Sequence, residues 1–251
     1  MRRRHLDQKV AVGPADLRLG YSPIAERASS SGGVTLSIAE LLEGMLVDSD
    51  NTAADLLLTF AGGAEALTAQ LDASGLSDIR VDRSEAELWF DSWGVTSPPP
   101  RATWTLGLLR QTLDAVPETT RREAFARFLA DARDTATPDA LVQLLRQIQE
   151  GRRLSAESRQ LLLELMGRTR SGAARLKAGL PAGTPLAHRT GSGADFQGSN
   201  VCTNDVGIIT LPGGRGRLAI AVLMKGSPAS LAARERAIAE IARAAFDYWT
   251  R

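Results

Sequence analysis

The chain has 251 residues, with 30 lysines and arginines against 29 aspartates and glutamates, and 43% of its residues are hydrophobic. These proportions are typical of a globular protein with a sizeable core, and the net charge of +1 argues against nucleic acid or an anionic membrane as the main partner. The basic start, residues 1–4, is too short for a binding arm. One cysteine and two histidines exclude an internal disulfide and argue against a metal centre, so we expect no cofactor. The apolar stretches fall short of the roughly 20 residues that a membrane span requires.

The first half of the chain predicts helices around a short polar turn. Residues 1–33 are rich in Gly, Pro and Ser and predict an extended loop. A helix is predicted directly afterwards, because Ser37 and Glu40 have the spacing of a capping box and apolar residues follow at helical spacing. The polar residues 48–51 predict a turn, and a second helix then runs to Gly62. The pattern therefore predicts a helical hairpin whose turn lies at the surface or at the floor of a cleft.

The second half combines helices with strands. Helices are predicted over 102–115, 119–131, 138–150 and 155–166. The hydrophobic period then changes from helical to alternating, which predicts strands over 185–190, 205–211 and 217–224, the last two joined as a hairpin. A long helix over 230–249 follows. This order predicts an α+β fold with an antiparallel sheet covered by helices.

Three short segments could carry chemistry, namely residues 49–51 (Ser-Asp-Asn), 83–88 (Arg-Ser-Glu-Ala-Glu-Leu) and 188–193 (His-Arg-Thr-Gly-Ser-Gly). Each alone has an ordinary structural interpretation: a turn between helices, a solvated carboxylate and a strand end. A Ser-His-Asp triad built on His188 and Ser192 is disfavoured, because the chain lacks a Gly-x-Ser-x-Gly turn. We therefore predict that His188 packs within a strand and that Cys202 is a small buried apolar residue.

The order of these segments changes that interpretation, because together they resemble the class A serine β-lactamases, within the penicillin-recognising serine acyltransferases. The Ser-Asp-Asn turn follows a helix capped as in that family, and Glu85 lies in Arg-x-Glu-x-x-Leu, the form of the family's Ω-loop motif. Residues 133–138 resemble the end of that loop, 188–191 are similar to the Lys-Thr-Gly strand, and 21–23 (Tyr-Ser-Pro) resemble one wall of the cleft. The resemblance covers about residues 6–250, and five motifs in the same order are jointly specific.

The resemblance implies one β-lactamase/transpeptidase-like catalytic domain over 1–251, with an antiparallel sheet, a helical subdomain and an insertion at 92–128 in the Ω-loop region. It implies β-lactam hydrolysis through a serine acyl-enzyme without a cofactor. The expected partner is a small-molecule β-lactam or related acyl substrate, with no nucleic acid, no membrane span and a monomeric protein. A full-length protein of this kind is expected in the periplasm or secreted.

The resemblance also implies roles for individual residues. Ser49 would relay a proton to the leaving nitrogen, Glu85 would activate water, and Arg189 would supply the positive field that the family usually takes from lysine. The implied substrate-binding residues are Tyr21, Asn51, Thr190, Gly191 and Ser192. Arg83 and Asp134 are expected to pair at the two ends of the Ω loop. All the catalytic and substrate-binding residues are expected to converge on one cleft between the helical part and the sheet.

Two departures from the family pattern shape what we expect of this chain. No lysine has a serine three positions before it, so the family's Ser-x-x-Lys nucleophile motif does not occur within the 251 residues. We therefore expect an N-terminal portion with the nucleophile and a signal peptide to be missing, and this chain to be inactive alone. Trp89 stands where many members have an asparagine that holds the hydrolytic water. A DD-peptidase-like or esterase-like serine hydrolase and a non-catalytic penicillin-binding or sensor protein therefore stay open as alternatives.

Overall fold

The fold is taken from a computed structural model that describes residues 3–251, with side chains from His5 onward. The basic start at residues 1–4, interpreted above as too short for a binding arm, lies outside the described side chains. The chain divides into two compact units, which meet in sequence between Thr135 and Ala136.

Unit 1 is a helical body with one small two-stranded sheet. Its helices are α1 (Arg3–Leu6), α2 (Pro23–Ser31), α3 (Ile38–Glu43), α4 (Asn51–Phe60), α5 (Gly63–Asp72), α6 (Glu85–Trp93), α7 (Leu106–Asp114) and α8 (Glu118–Ala130). The sheet consists of the antiparallel strands β1 (Lys9–Val12) and β2 (Val34–Ser37), which are separated in the chain by α2.

The prediction of an extended loop over residues 1–33 is wrong, because this region contains α1, β1 and α2. The start of α2 is fixed by Ser22, whose hydroxyl accepts a hydrogen bond from the amide of Ala25, and by Pro23 in the first turn. The helix ends at Gly32, which adopts a left-handed conformation with φ 73°. These are ordinary helix start and stop signals inside a region whose composition is typical of loops.

The predicted helical hairpin is confirmed as α3 and α4. The Ser37–Glu40 capping box starts α3, and the helix continues into a π-helical turn over Gly44–Asp48. The side chain of Asp50 then caps α4 by accepting a hydrogen bond from the amide of Ala53. The turn between these two helices therefore carries the Ser-Asp-Asn segment.

The residues expected to be an insertion, 92–128, contain helices that join the core of unit 1. The helix predicted over 102–115 is present as the shorter α7, and the one predicted over 119–131 is present as α8, which begins and ends one residue earlier. Trp104 and Leu109 are buried in the same apolar cluster as Leu41 of α3 and Phe90 of α6, and the Phe90 and Trp104 rings meet edge to face at 5.7 Å. This segment is thus packed into the helical core.

Unit 2 is a five-stranded antiparallel sheet with helices on both faces. Its helices are α9 (Pro138–Gln149), α10 (Ala156–Gly167), α11 (Leu176–Gly179) and α12 (Leu231–Thr250). Its strands are β3 (Leu186–Ser192), β4 (Asp195–Phe196), β5 (Ser199–Thr210), β6 (Arg217–Val222) and β7 (Lys225–Ser227). The long strand β5 pairs with the other four, so it organises the sheet.

Helix α12 covers one face of this sheet through Ile238 and Ala242, while Leu145 of α9 and Met166 of α10 pack against Ile208 on the other face. The predicted α+β class with an antiparallel sheet is confirmed. None of the helices in the described part of the chain is long and apolar enough to cross a membrane.

Candidate active site

The Ser-Asp-Asn turn is held rigidly by the buried carboxylate of Asp50. Its Oδ1 accepts hydrogen bonds from the Ser22 hydroxyl and the Ala53 amide, both at 2.9 Å, and its Oδ2 accepts one from the Ile24 amide at 2.8 Å. Ser49, which is half-buried, has a left-handed backbone with φ 66°. Such a conformation costs a non-glycine residue about 1 kcal/mol, so Asp50 stabilises an unusual backbone at the proposed proton relay.

Asn51 and Tyr21 lie next to each other in unit 1. The backbone N–H of Asn51 donates a hydrogen bond to the Tyr21 carbonyl at 3.0 Å, and the Asn51 side-chain Nδ2 donates one to the Leu19 carbonyl at 2.8 Å. The Tyr21 side chain is 62% exposed, so it forms part of the surface beside Asn51. Two of the implied substrate-binding residues are therefore adjacent.

Gly20 allows Trp89 to pack beside Asn51. Gly20 has φ 80°, and a Cβ atom on it would lie 2.5 Å from Asn51 Nδ2 and 3.0 Å from Trp89 Cζ2. A side chain at this position would collide with both neighbours. Trp89, expected from the resemblance at the position of a water-holding asparagine, thus lies close to the proposed substrate-binding amide.

Glu85 is the first residue of α6, and its backbone is tied to α4. The Glu85 amide donates to Asp55 Oδ1 at 2.7 Å, and Asp55 also pairs with the Arg18 guanidinium; both of these charged side chains are almost fully buried. Asp55 lies one helical turn after Asn51 on α4. The sequence interpretation missed Asp55 and Arg18, although a carboxylate inside the apolar run 53–58 is itself a signal of a buried partner.

The predicted ion pair between Arg83 and Asp134 is confirmed, with 2.6 Å between Nε and Oδ2. Asp134 Oδ1 also accepts from the backbone amides of Asp82 and Arg83, at 2.7 and 3.0 Å. Arg83 is 6% exposed and binds two further carboxylates, those of Asp91 at 2.7 Å and Asp131 at 3.2 Å. The two ends of the segment 83–134, the expected Ω loop, are therefore joined by a cluster with Arg83 at its centre, which is more than the simple pair expected from the sequence.

The cluster shifts the pKa values of its members. Burial alone would lower the pKa of the Arg83 guanidinium, but hydrogen bonds to Asp91 and Asp134 outweigh that effect and raise its pKa. The side chain and then the backbone amide of Arg133 donate hydrogen bonds to Asp131 and hold its pKa well below the usual range. The pKa of Asp82 is lowered by its hydrogen bond from Arg80 and by one from the Asp134 amide. Asp131 and Asp82 therefore stay ionised in moderately acidic solution.

In unit 2, a buried arginine organises the end of β3. Arg175 is 5% exposed, and it donates from Nη1 to the Gly191 and Asn204 carbonyls at 3.1 and 2.9 Å and from Nη2 to the Ser192 hydroxyl at 2.7 Å. It also pairs with Glu235 at 3.2 Å. Sequence reasoning missed this residue, because nothing in the spacing around position 175 distinguishes it from the chain's many other arginines.

Of the implied site residues on β3, Arg189, Thr190 and Gly191 are half-buried, and Ser192 at the end of the strand is exposed. The hydroxyls of Thr190 and Ser171 share a hydrogen bond of 2.6 Å, and Arg189 Nη1 lies 3.4 Å from the Thr190 carbonyl oxygen. Unit 2 thus brings together Arg189, Thr190, Gly191 and Ser192, while unit 1 brings together Tyr21, Asn51 and the α6 start at Glu85. Convergence of the two sets on one cleft stays a prediction.

His188 packs within the strand, as predicted. It is 3% exposed, and its Nδ1 lies 2.9 Å from Oδ1 of the fully buried Asp205. Ser192, the serine of the disfavoured triad, contacts Arg175 instead. The prediction that Cys202 is buried is wrong: it is half-buried on β5, where it faces Lys225 of β7 in the register near the edge of the sheet.

Comparisons with known proteins identify the family of this chain. The family model described as "Beta-lactamase enzyme family" matches residues 1–249. The chain is similar to a β-lactamase from Chitinophaga pinensis, with 29% identity over 97% of this chain and 76% of that one and a TM-score of 0.77. It is similar to the TLA-1 extended-spectrum β-lactamase, with 31% identity, coverage of 98% and 76%, and a TM-score of 0.78. It is also similar to the ancestral Gram-negative (GNCA) class A β-lactamase, with 32% identity, coverage of 97% and 76%, and a TM-score of 0.73. The chain therefore belongs to the β-lactamase enzyme family, and its fold is that of the class A β-lactamases.

Proposed function

We propose that this protein hydrolyses β-lactams through a serine acyl-enzyme, as class A β-lactamases do. Family membership supports β-lactam hydrolysis in general. The observation that carries the finer proposal is the hydrogen bond from the Glu85 amide to Asp55, because it attaches the proposed base to the helix that begins with the Ser-Asp-Asn turn. The 251 residues contain no Ser-x-x-Lys motif, so in this proposal the nucleophile is not among them.

Acylation requires a serine oxygen to attack the lactam carbonyl carbon while the C–N bond breaks and the nitrogen gains a proton. We assign the proton relay to Ser49, whose backbone is fixed by Asp50. Asn51 is proposed to orient the substrate amide. A relay that is held in place contributes more than a mobile one, because the reacting groups need no further ordering.

Deacylation requires a water molecule to attack the acyl carbonyl while a base takes its proton. We assign this base to Glu85. Arg189 is proposed to supply the positive field, and Thr190 and Ser192 to hydrogen-bond the substrate carboxylate. Arg175 supports Ser192, since it donates a hydrogen bond of 2.7 Å to the Ser192 hydroxyl.

A second candidate is a non-catalytic penicillin-binding or sensor protein, and one specific observation favours it. Trp89 packs beside Gly20 and Asn51 in the place of the family's asparagine, and its indole can only donate a hydrogen bond. Slow deacylation would also be acceptable for a DD-peptidase-like or esterase-like enzyme. These alternatives differ from the main proposal in turnover and in whether an acyl adduct forms.

The decisive experiment applies if the DNA upstream of Met1 encodes an in-frame Ser-x-x-Lys, and it compares this 251-residue chain with a form extended to include that motif. Each is incubated with benzylpenicillin, and turnover and a covalent mass adduct are measured. We expect adduct and turnover only in the extended form, and in that form we expect Glu85→Gln to accumulate the adduct while the exposed Glu65→Gln does not. Equal turnover by the short chain would show that the nucleophile has been misidentified. An extended form with Ser-x-x-Lys but no adduct would favour the non-catalytic candidate.

The same proposal assigns the full-length protein to the periplasm or to the secreted fraction, with a role in antibiotic resistance. Expression of the extended form in a penicillin-sensitive Gram-negative host tests it. We expect a higher minimal inhibitory concentration of benzylpenicillin and enzyme in the periplasmic extract. Unchanged sensitivity, despite soluble enzyme in that extract, would contradict the resistance role.

A further inference from the structure

Unit 1 contains a cavity of about 330 Å³ between α2, α6 and the inserted helix α7. Its apolar wall is formed by Leu19, Ala25, Trp89, Trp93, Leu106 and Leu113. Leu106 and Leu113 lie in residues 92–128, which the resemblance to class A β-lactamases marks as an insertion, so this cavity depends on that segment. Its volume is at the lower end of the range for ligand sites, which suits one ring rather than a whole drug-sized molecule.

Two tryptophan rings provide the aromatic side of this cavity. The Trp89 and Trp93 ring centroids are 6.4 Å apart with an interplanar angle of 26°. The Arg121 guanidinium lies 5.3 Å from the centre of the Trp93 ring. Trp93 is thereby packed between an aromatic ring and a cation, which holds it in place.

The charges that line the cavity balance, because Arg18 and Arg110 are matched by Glu26 and Asp114. The buried Arg18 guanidinium is also bound to Asp55. At the rim, Arg110 pairs with Glu26 at 3.6 Å, and both side chains are largely exposed. The cavity therefore offers a neutral, aromatic interior and does not call for a charged ligand group.

One side of the cavity lies beside the proposed substrate-binding amide. Gly20 lines the cavity, and a Cβ atom on it would be 2.5 Å from Asn51 Nδ2 and 3.0 Å from Trp89. We infer that the Trp89–Trp93 cavity receives a neutral aryl group carried by the acylamino side chain of a β-lactam, whose amide Asn51 orients. This inference rests on the proposed function and adds the class of side chain that the site selects.

The first test measures the aryl site without a β-lactam ring. Binding of 4-fluorophenylacetamide to the full chain is followed by ¹⁹F NMR, with fluoroacetamide as the probe that lacks the ring. Two variants change the cavity: Glu26→Trp obstructs its rim, and Trp93→Leu removes one aromatic face. Their matched controls are Arg27→Trp on the exposed side of α2 and Trp249→Leu on α12. Far-UV circular dichroism confirms folding of each variant.

We expect saturable binding of 4-fluorophenylacetamide and none of fluoroacetamide. Each cavity variant should raise the Kd about fivefold or more, and each control should leave it unchanged. No saturable binding by the wild-type chain would overturn the inference, as would binding that neither cavity variant weakens.

The second test separates this inference from the proposed function. Binding of benzylpenicillin and of 6-aminopenicillanic acid, which lacks the aryl side chain, is measured by calorimetry on the same proteins. We expect benzylpenicillin to bind more tightly and to lose that advantage in Glu26→Trp and Trp93→Leu. If both compounds bind equally in all proteins, the aryl site is wrong and the proposed function stands. If neither binds while 4-fluorophenylacetamide still does, the assignment of the aryl site to a β-lactam side chain is wrong, and the proposed function is then decided by the turnover of the extended form.

Discussion

Asp55 and Glu85 are joined by a hydrogen bond of 2.7 Å, from the backbone amide of Glu85 to Oδ1 of Asp55. Asp55 lies on α4, the helix whose first residue is Asn51, and its other oxygen binds the buried Arg18. The Asp55 carboxylate therefore connects three parts of unit 1. These are the segment between β1 and α2 that contains Arg18, the helix α4 after the Ser-Asp-Asn turn, and the start of α6. The position of the proposed base depends on this carboxylate.

We predict that Asp55→Ala destabilises the protein by about 3 kcal/mol or more, because it leaves the guanidinium of Arg18, only 4% exposed, without its partner. The free energy of unfolding in urea measures this. Asp72→Ala, an exposed aspartate of α5, should change it by less than about 0.5 kcal/mol. Combining Asp55→Leu with Arg18→Met should recover much of the loss, since no buried charge is then left alone. A double variant as unstable as Asp55→Ala would contradict this explanation.

We predict that Arg83→Met costs about 3 kcal/mol, because the carboxylates of Asp91, Asp131 and Asp134 lose their shared cation. Arg83→Lys should recover only part of this, since one ammonium cannot reproduce the directions of a guanidinium fork. The control is Arg80→Met, whose side chain is 51% exposed and should matter little. Chemical denaturation of the three variants provides the comparison. If Arg80→Met and Arg83→Met lose the same free energy of unfolding, the burial of Arg83 does not determine the strength of the cluster.

The depressed pKa of Asp131 predicts a specific loss of stability in acid. A carboxyl whose pKa is lower in the folded state than in the unfolded state stabilises the fold above its unfolded pKa of about 3.9, and this contribution disappears as the pH falls toward the folded pKa. The free energy of unfolding should therefore decrease as the pH falls below about 4. Asp131→Asn should flatten this part of the curve, whereas Asp78→Asn, at an exposed position, should leave it unchanged. If the free energy of unfolding of Asp131→Asn falls in acid as steeply as that of the wild type, Asp131 does not cause this loss of stability.

Gly20→Ala tests the packing of Trp89 beside Asn51. Gly183 has the same φ of 80° but nothing within 4 Å of an added Cβ, so Gly183→Ala measures backbone strain alone, about 1 kcal/mol. Gly20→Ala should cost about 2 kcal/mol more, because the added methyl group meets Asn51 and Trp89. Denaturation gives the two free energies, and tryptophan fluorescence should shift only in Gly20→Ala. Equal costs at the two positions would argue against the close packing.

Arg175→Met should loosen the end of β3. The variant removes donors from the carbonyls of Gly191 and Asn204 and from the Ser192 hydroxyl, and we expect it to cost about 2 kcal/mol. Amide hydrogen exchange along β3 should become faster, with little change in α9. Lys177→Met, at an exposed position of the neighbouring α11, serves as the control. Unchanged exchange at β3 would show that strand pairing alone holds it.

The elements that the sequence predicts well are those whose signals lie within a few residues of each other. The capping box at Ser37, the hairpin of α3 and α4 and the long α12 all follow from local spacing. Helix α2 was missed because its short apolar face lies in a region whose composition is typical of loops, and α5 was missed because it buries no residue.

The contacts of the candidate site also differ in whether the sequence predicts them. The Arg83–Asp134 pair follows from the resemblance to a known family, but the central role of Arg83 does not, because Asp91 and Asp131 are outside the motifs that carry the resemblance. The bonds that fix Glu85 and the end of β3 join residues far apart in the chain, such as Asp55 and Glu85, or Arg175 and Asn204. Periodicity describes neighbours within one element, so it cannot identify such partners.

The cluster around Arg83 has a consequence for how this enzyme family can change over time. Once the two ends of a loop are fastened together, doubling the number of residues between them costs only about 0.6 kcal/mol in chain entropy. Residues can therefore be gained or lost between Arg83 and Asp134 while the start of α6 keeps its place. Evolution can alter the lining of the neighbouring cavity by lengthening this segment, without a compensating change at Glu85.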